Sequence, residues 1–169
     1  MKKRVLALVL CVLVVCISAI GYADTNLSKN RKCPARPTLY NSARSKAIGS
    51  DKYAELRKGF SAKQINENDG IREYGMYFKF TPKKGDHGYH IYRFDVVISE
   101  RNGDILLSDG FNTDMTCQYG YYWAWNFFPL DGMFQQLKRK YGQVVPGSYT
   151  MDIYFNSLWA NSTIIKVGK

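Results

Sequence analysis

Met115-Thr116-Cys117-Gln118-Tyr119-Gly120-Tyr121-Tyr122-Trp123-Ala124-Trp125-Asn126-Phe127-Phe128 is the stretch on which the fold turns. Its odd positions are Met115, Cys117, Tyr119, Tyr121, Trp123, Trp125 and Phe127. Its even positions are small or polar until Tyr122 and Phe128. A two-residue period of this kind marks a strand, because successive side chains leave it on opposite faces. Aromatic side chains each bury roughly 150–250 Å², so a face this rich in rings predicts a core. On this reading Tyr119, Tyr121, Trp123, Trp125 and Phe127 are inside with Cys117 sheltered among them, and Tyr122 is outside.

Working upstream, Tyr74, Met76, Phe78 and Phe80 share one strand face, with Gly75, Tyr77 and Lys79 on the other. Residues 82–88 form a polar turn. His90–Ile98 follows as a strand with Tyr92, Phe94, Val96 and Ile98 opposite Arg93 and Asp95. Arg101-Asn102-Gly103-Asp104 predicts a hairpin, with Asn-Gly at the two positive-φ positions of a type I′ turn. Ile105–Ser108 returns as a short strand, and Asp109-Gly110 turns again. Further upstream, Asp51 and Gly59 bracket a short helix over 51–58, with Tyr53 and Leu56 on one side.

Downstream, Pro129 ends the aromatic strand. Asp131 starts a helix to about Tyr141 with Met133, Phe134, Leu137 and Tyr141 in one stripe. Lys138, Arg139 and Lys140 crowd its last turn, and Gly142 stops it. After the Pro146-Gly147 turn, Tyr149, Met151, Ile153 and Phe155 alternate with Thr150, Asp152 and Tyr154. Asn156-Ser157 turns, and Leu158–Val167 closes the domain. Short alternating strands at even spacing predict a mainly β chain built as a two-sheet antiparallel sandwich, with one short helix between late strands.

The run Pro146-Gly147-Ser148-Tyr149-Thr150-Met151-Asp152-Ile153-Tyr154-Phe155-Asn156-Ser157-Leu158-Trp159-Ala160 resembles the closing hairpin of bacterial extracellular immunoglobulin-like domains. A Pro-Gly turn leads there into a strand that starts on Tyr, then a short turn and a last strand. The resemblance covers about 25 residues firmly and about 95 loosely. It implies an immunoglobulin-like β-sandwich, a fold that mostly binds or presents, although fold alone does not settle function. In this chain the expected cysteine bridge would tie a strand to an N-terminal segment and not sheet to sheet.

The 169-residue chain opens with Met1-Lys2-Lys3-Arg4, an apolar run from Val5 to Ile20, and Gly21-Tyr22-Ala23. A positive start, a short apolar stretch and small residues before the cut predict a cleavable signal peptide over 1–23. The run is short for a membrane span. Export to the extracellular space or periplasm is the expectation; a lipid anchor at Cys16, in Leu13-Val14-Val15-Cys16, is the alternative and the one route to a membrane. Cys11 and Cys16 leave with the signal, and Cys33 and Cys117 remain as a disulfide pair.

Charge divides the rest. Net charge is +10 in full and +7 without Lys2, Lys3 and Arg4. Residues 24–58 hold nine basic side chains against three acidic ones, and residues 59–169 hold twelve against eleven. The expected organisation is therefore a basic, loosely structured leader over 24–58 and the sandwich over 59–169. The leader would favour an anionic cell-wall polymer; specific nucleic-acid binding is not expected, and another extracellular protein is the alternative partner.

Catalytic chemistry finds little support. His87 and His90 are the chain's two histidines, too few for a three-ligand metal site. Asp104, Asp109 and Asp114 are spaced as turn residues, without the tight run of a calcium loop. No Gly-x-Ser-x-Gly occurs, and Cys117 on an apolar face would be inert. Neither metal nor cofactor is expected, and the chain reads as a non-enzyme: a secreted binding or adhesion module. A secreted inhibitor of a protease or lysozyme, and a hydrolase whose acids meet only in the fold, are the alternatives. Tyr77, Tyr122 and Tyr154 are the candidate binding rings, joined by Trp159.

Overall fold

Alternation of apolar and polar residues dominates the chain, and strands make up 59% of a computed structural model. The structure describes residues 27–32, 42–80, 88–118 and 121–169. The expected signal peptide over 1–23, the turn over 82–87, His87 and Cys33 lie outside the described residues. Among the described residues no disulfide occurs.

Among the described residues ten strands and two helices follow one another. They are β1 (Ser28–Lys32), β2 (Ser42–Ala47), β3 (Ala54–Glu55), β4 (Phe60–Ser61), α1 (Ala62–Glu67), β5 (Gly70–Phe80) and β6 (Tyr89–Ser99). Then come β7 (Ile105–Gln118), β8 (Tyr121–Pro129), α2 (Asp131–Tyr141), β9 (Gly147–Phe155) and β10 (Leu158–Gly168). The hydrogen-bonded path runs β1-β10-β9-β6-β7-β8-β5-β2-β3, with β4 alongside β10. Its weak joint is β7–β8, paired only at Cys117↔Tyr122 and Gln118↔Tyr121. That joint divides the path into sheet A, from β1 to β7, and sheet B, a curled half-barrel of β8, β5, β2 and β3. Between them lie Phe94, Val96, Ile98, Met151, Ile153 and Ile165 from sheet A and Tyr74, Met76, Tyr122 and Phe128 from sheet B, closed by Met133, Phe134 and Leu137 of α2.

The aromatic run is two strands and not one. The chain reverses between Gln118 and Tyr121, so the inward face changes from odd positions to even ones. Met115 is buried at 1% exposure, as its parity demands, but among the described side chains of β8 the buried rings are Tyr122 (0%) and Phe128 (3%). Phe127 is half-buried on the opposite face, its ring centroid 3.1 Å from the Arg44 guanidinium carbon.

Four more expectations change. Residues 51–58 form β3 and a turn, because Arg44↔Glu55 and Ser45↔Ala54 pair β2 with β3. The helix comes later, as α1, where Ser61 caps by accepting from Gln64 N–H at 3.4 Å; Ser61-x-x-Gln64 is a capping-box spacing. Gly59 serves the turn before it with φ of 86°, and a Cβ there would lie 2.6 Å from the Lys166 carbonyl oxygen. Only Gly103 of the Asn102-Gly103 pair has positive φ; its N–H donates to the Glu100 carbonyl at 3.0 Å, the three-residue hairpin pattern. Both central positions are left-handed instead at Asn156 (φ 48°) and Ser157 (φ 62°), joining β9 to β10. Asp109-Gly110 is no turn but the middle of β7. The stretch read as a loose leader supplies β1, β2 and β3, and β2 pairs with β5 from Ser42↔Gly75 to Ala47↔Gly70.

Helix α2 follows expectation in extent and in its left-handed stop at Gly142 (φ 76°). Its N-cap is Leu130, so Asp131 is the first helical residue. Tyr141 is exposed, but its hydroxyl donates to Glu100 at 2.7 Å. Lys140 beside it donates to Glu100 and, at 2.6 Å, to Asp104. These bonds hold the Lys140 ammonium above its usual range and the Asp104 carboxyl below its own. They tie the end of α2 to the β6–β7 turn.

Partial burial, more than any neighbouring charge, pushes the Asp131 carboxyl above its ordinary value of 3.8. A raised value in the folded state means that the fold binds this proton more tightly than the unfolded chain. The contribution is favourable below that ordinary value and is lost as pH rises through the folded value. Asp131→Asn should therefore raise the urea midpoint at pH 7, and the gain should fade as pH falls below about 4.

Face assignment in β8 is open to measurement. Tyr122→Ala should destabilise by about 3–5 kcal/mol, as for a fully buried ring, and Phe127→Ala by less than half as much in the same urea titration. Equal losses would contradict the reversed parity.

Candidate functional site

Because Phe94, Val96 and Ile98 face the core, Arg93, Asp95 and Val97 must leave β6 on the outer face of sheet A. In the ladder Asp95 lies opposite Tyr154, and Val97 opposite Asp152. Tyr154 in turn lies opposite Trp159, and Asp152 opposite Ser162. One continuous patch of three strands thus gathers Asp95, Tyr154, Asp152, Ser162 and Trp159. Asp95 and Asp152 are diagonal neighbours, on the order of 7–8 Å apart by strand geometry.

Both carboxylates are buried, and buried charge requires a partner. Arg93 Nη2 meets Asp95 Oδ1 at 2.8 Å, with the Asp side chain 4% exposed and the Arg 55%. Lys29 Nζ, carried in by β1, meets Asp152 Oδ2 at 2.7 Å, with exposures of 6% and 57%. The Ser162 hydroxyl donates to Asp152 Oδ1, and Trp159 Nε1 donates to Ser162 Oγ at 3.1 Å. Gly110 makes room for the first pair: a Cβ there would lie 2.6 Å from both Arg93 Nη2 and Asp95 Oδ1. Burial, then the charge of Asp152, pushes the Tyr154 hydroxyl up, so it stays protonated and a donor at neutral pH. The arrangement presents two surface cations, each fixed from beneath by a buried acid, next to a half-buried indole.

The four rings singled out in the sequence do not form one site. Tyr154 (5% exposed) and Trp159 come together on this patch, directly opposite in the ladder. Tyr122 is in the core, its ring 5.5 Å from His90 and 5.6 Å from Tyr92. Tyr77 is half-buried on β5, in sheet B, where it pairs with Trp125. The exposed patch expected of Tyr77, Tyr122 and Tyr154 is therefore not formed, because parity in β8 reverses and Tyr154 is covered. His90 packs against aromatic rings. Among the described residues no three His, Cys, Asp or Glu side chains converge as a metal site would require.

Sheet B carries a feature that sequence reasoning missed. Arg44 is stacked between Phe127 (3.1 Å) and Tyr53 (3.9 Å) and bonded to Glu73, Nε at 2.7 Å and Nη2 at 2.6 Å. Lys46 Nζ stands 4.9 Å from the Tyr53 centroid. In the sequence Arg44 is one charge among nine; only the β2–β5 register, which sets it opposite Glu73, reveals its role. No protein-family model matches the chain, and no curated protein matches it.

The Lys29–Asp152 pair can be isolated by a double-mutant cycle. Lys29→Met should destabilise by about 1–3 kcal/mol by stranding a buried carboxylate. Adding Asp152→Asn should recover part of that loss, giving a coupling of about 1 kcal/mol in urea unfolding. Strict additivity would place Lys29 away from Asp152.

Proposed function

We propose that this chain is an exported, non-catalytic binding module of immunoglobulin-like fold that holds an anionic surface polymer on the outer face of sheet A. The observation that carries the reading is the pair of acid-anchored cations, Arg93 on Asp95 and Lys29 on Asp152. A free Arg or Lys gives up roughly 0.5–1.5 kcal/mol of rotamer freedom when a ligand immobilises it. Here a buried carboxylate has already fixed each side chain, while more than half of the cation stays open to solvent. Guanidinium and ammonium donors then meet phosphate or carboxylate groups at defined positions, with Trp159 beside them as a stacking surface. The excess positive charge supplies long-range attraction.

The immunoglobulin-like assignment draws support from the β9–β10 hairpin, which follows Pro146-Gly147 and turns in two left-handed residues. Export draws support from the first 23 residues, read as a signal.

Co-sedimentation with a purified anionic wall polymer tests the reading. Binding should be saturable and should fall steeply between about 0.1 and about 0.5 M salt. The double variant Arg93→Gln with Asp95→Asn removes the cation without stranding a buried charge. It should bind at least ~5-fold more weakly, the scale of one lost charge-assisted contact. Salt-insensitive retention, or unchanged affinity in the double variant, would contradict the proposal.

A further inference from the structure

Two adjoining depressions lie away from sheet A's outer face, one on each side of Arg72. The first, about 260 Å³, runs between the end of β2 and α1. The second, about 310 Å³, runs between the start of β5 and α2 and is lined by Ile65, Ile71, Arg72, Asp131, Phe134 and Lys138 among others. Its volume is at the lower end for small-molecule clefts. Phe134 and Ile65 are buried at 3% exposure and form an apolar floor, while Ile48 (72%) and Ile71 (37%) stand exposed at the rim.

Its charges are held in an unusual way. The Arg72 guanidinium donates to main-chain carbonyls, Gly70 at 3.0 Å and Asn68 at 2.5 Å. Lys138 Nζ donates to the Ile65 carbonyl at 3.3 Å. Among the described residues neither forms an ion pair. A carbonyl fixes a cation's position without cancelling its charge, and the Arg72 fork keeps further N–H donors unused. Asp131 opens α2 on the same wall, where Leu130 N–H, just before it, donates to the Arg72 carbonyl at 2.8 Å. The cleft therefore presents, over one apolar floor, two cations held by carbonyls and the Asp131 carboxylate, which feels the charge of Arg72 but among the described residues forms no ion pair with it.

We propose that this cleft binds a small zwitterion with an apolar side chain, an apolar amino acid or short peptide with free ends. The ligand carboxylate lies on Arg72 and Lys138, its ammonium on Asp131, and its side chain on Ile65 and Phe134. An ammonium beside Asp131 also relieves the burial that disfavours its charge. A simple anion meets repulsion from Asp131, and a simple cation meets it from Arg72 and Lys138. The site is separate from the polymer-binding face, so either reading survives the failure of the other.

Thermal unfolding of the purified protein with leucine, leucyl-leucine, N-acetyl-leucine and leucinamide, each up to about 10 mM, tests this. Leucine or leucyl-leucine should raise Tm saturably by about 2–4 °C, the tighter of the two giving the ligand's size, and both capped forms should be silent. Arg72→Gln should abolish the shift. Since that residue also ties down the chain after α1, Gln135→Trp serves as a second variant. It fills the cleft from an exposed position of α2 and should abolish the shift with the fold intact. The absence of a shift with both uncapped ligands, equal shifts with capped ones, or a shift that survives Gln135→Trp would overturn the proposal.

Discussion

Where the two sheets meet, the ring of Tyr122 stands edge-on to His90 and to Tyr92 and is wholly shielded from water. Only two residue pairs connect β7 to β8 there, too few for backbone hydrogen bonds alone to set the angle between the sheets. A buried ring at the corner supplies what the ladder lacks, since aromatic edge-to-face contacts add about 0.5–1.5 kcal/mol each beyond area. Strand alternation then propagates the choice. With Tyr122 inside, Phe128 is inside and Phe127 is not, and Phe127 is free to take the Arg44 guanidinium against its face. Through Arg44 and Glu73 the same choice fixes β2 against β5.

On sheet A the governing constraint is the cost of burying carboxylates. Asp95 and Asp152 sit on a strand face that would otherwise be partly wet, and each is almost fully covered. Such a group is tolerable only if ionic and hydrogen-bonding partners remain in place. That requirement dictates a glycine at 110, recruits Lys29 from the far N-terminal strand, and threads Ser162 and Trp159 into one chain of bonds. The surface cations are thus consequences of the interior, which makes them rigid in a way that isolated surface lysines are not.

Much of this was legible before any coordinates. β5, β6, β9 and β10 show themselves because one face of each is apolar and the other polar, and α2 because its stripe ends on a basic turn and a glycine. The aromatic run misleads for a physical reason. With large residues at both parities from Tyr121 to Phe128, periodicity cannot tell a continuous strand from a hairpin. β2 is hidden because its buried residue, Ala43, is small and all the others but Ala47 are polar, as suits a strand near a sheet's end. α1 had a readable signal in Ser61-x-x-Gln64, outweighed by a weaker pattern upstream. Trp159 beside Tyr154 follows from counting across the Asn156-Ser157 turn. The burial of Asp95 and Asp152 does not, since it depends on strands far apart in sequence.

The N-terminal basic stretch changes meaning once it is folded. Read as sequence, residues 24–58 are an arm whose charge acts through a diffuse field. In the structure Lys29 and Arg44 are held in place by Asp152 and Glu73, and Lys46 lies against Tyr53. Lys52, Arg57 and Lys58 remain exposed on the turns that flank β3. Among the described side chains, Lys29, Arg44 and Lys46 therefore carry their charge at fixed positions on the strands. A fixed array selects among polyanions by spacing as well as by charge density, whereas a disordered arm responds to density alone. On the proposed reading, polymer recognition on sheet A would be a matter of register between phosphate or carboxylate repeats and cations whose separation is set by strand pairing.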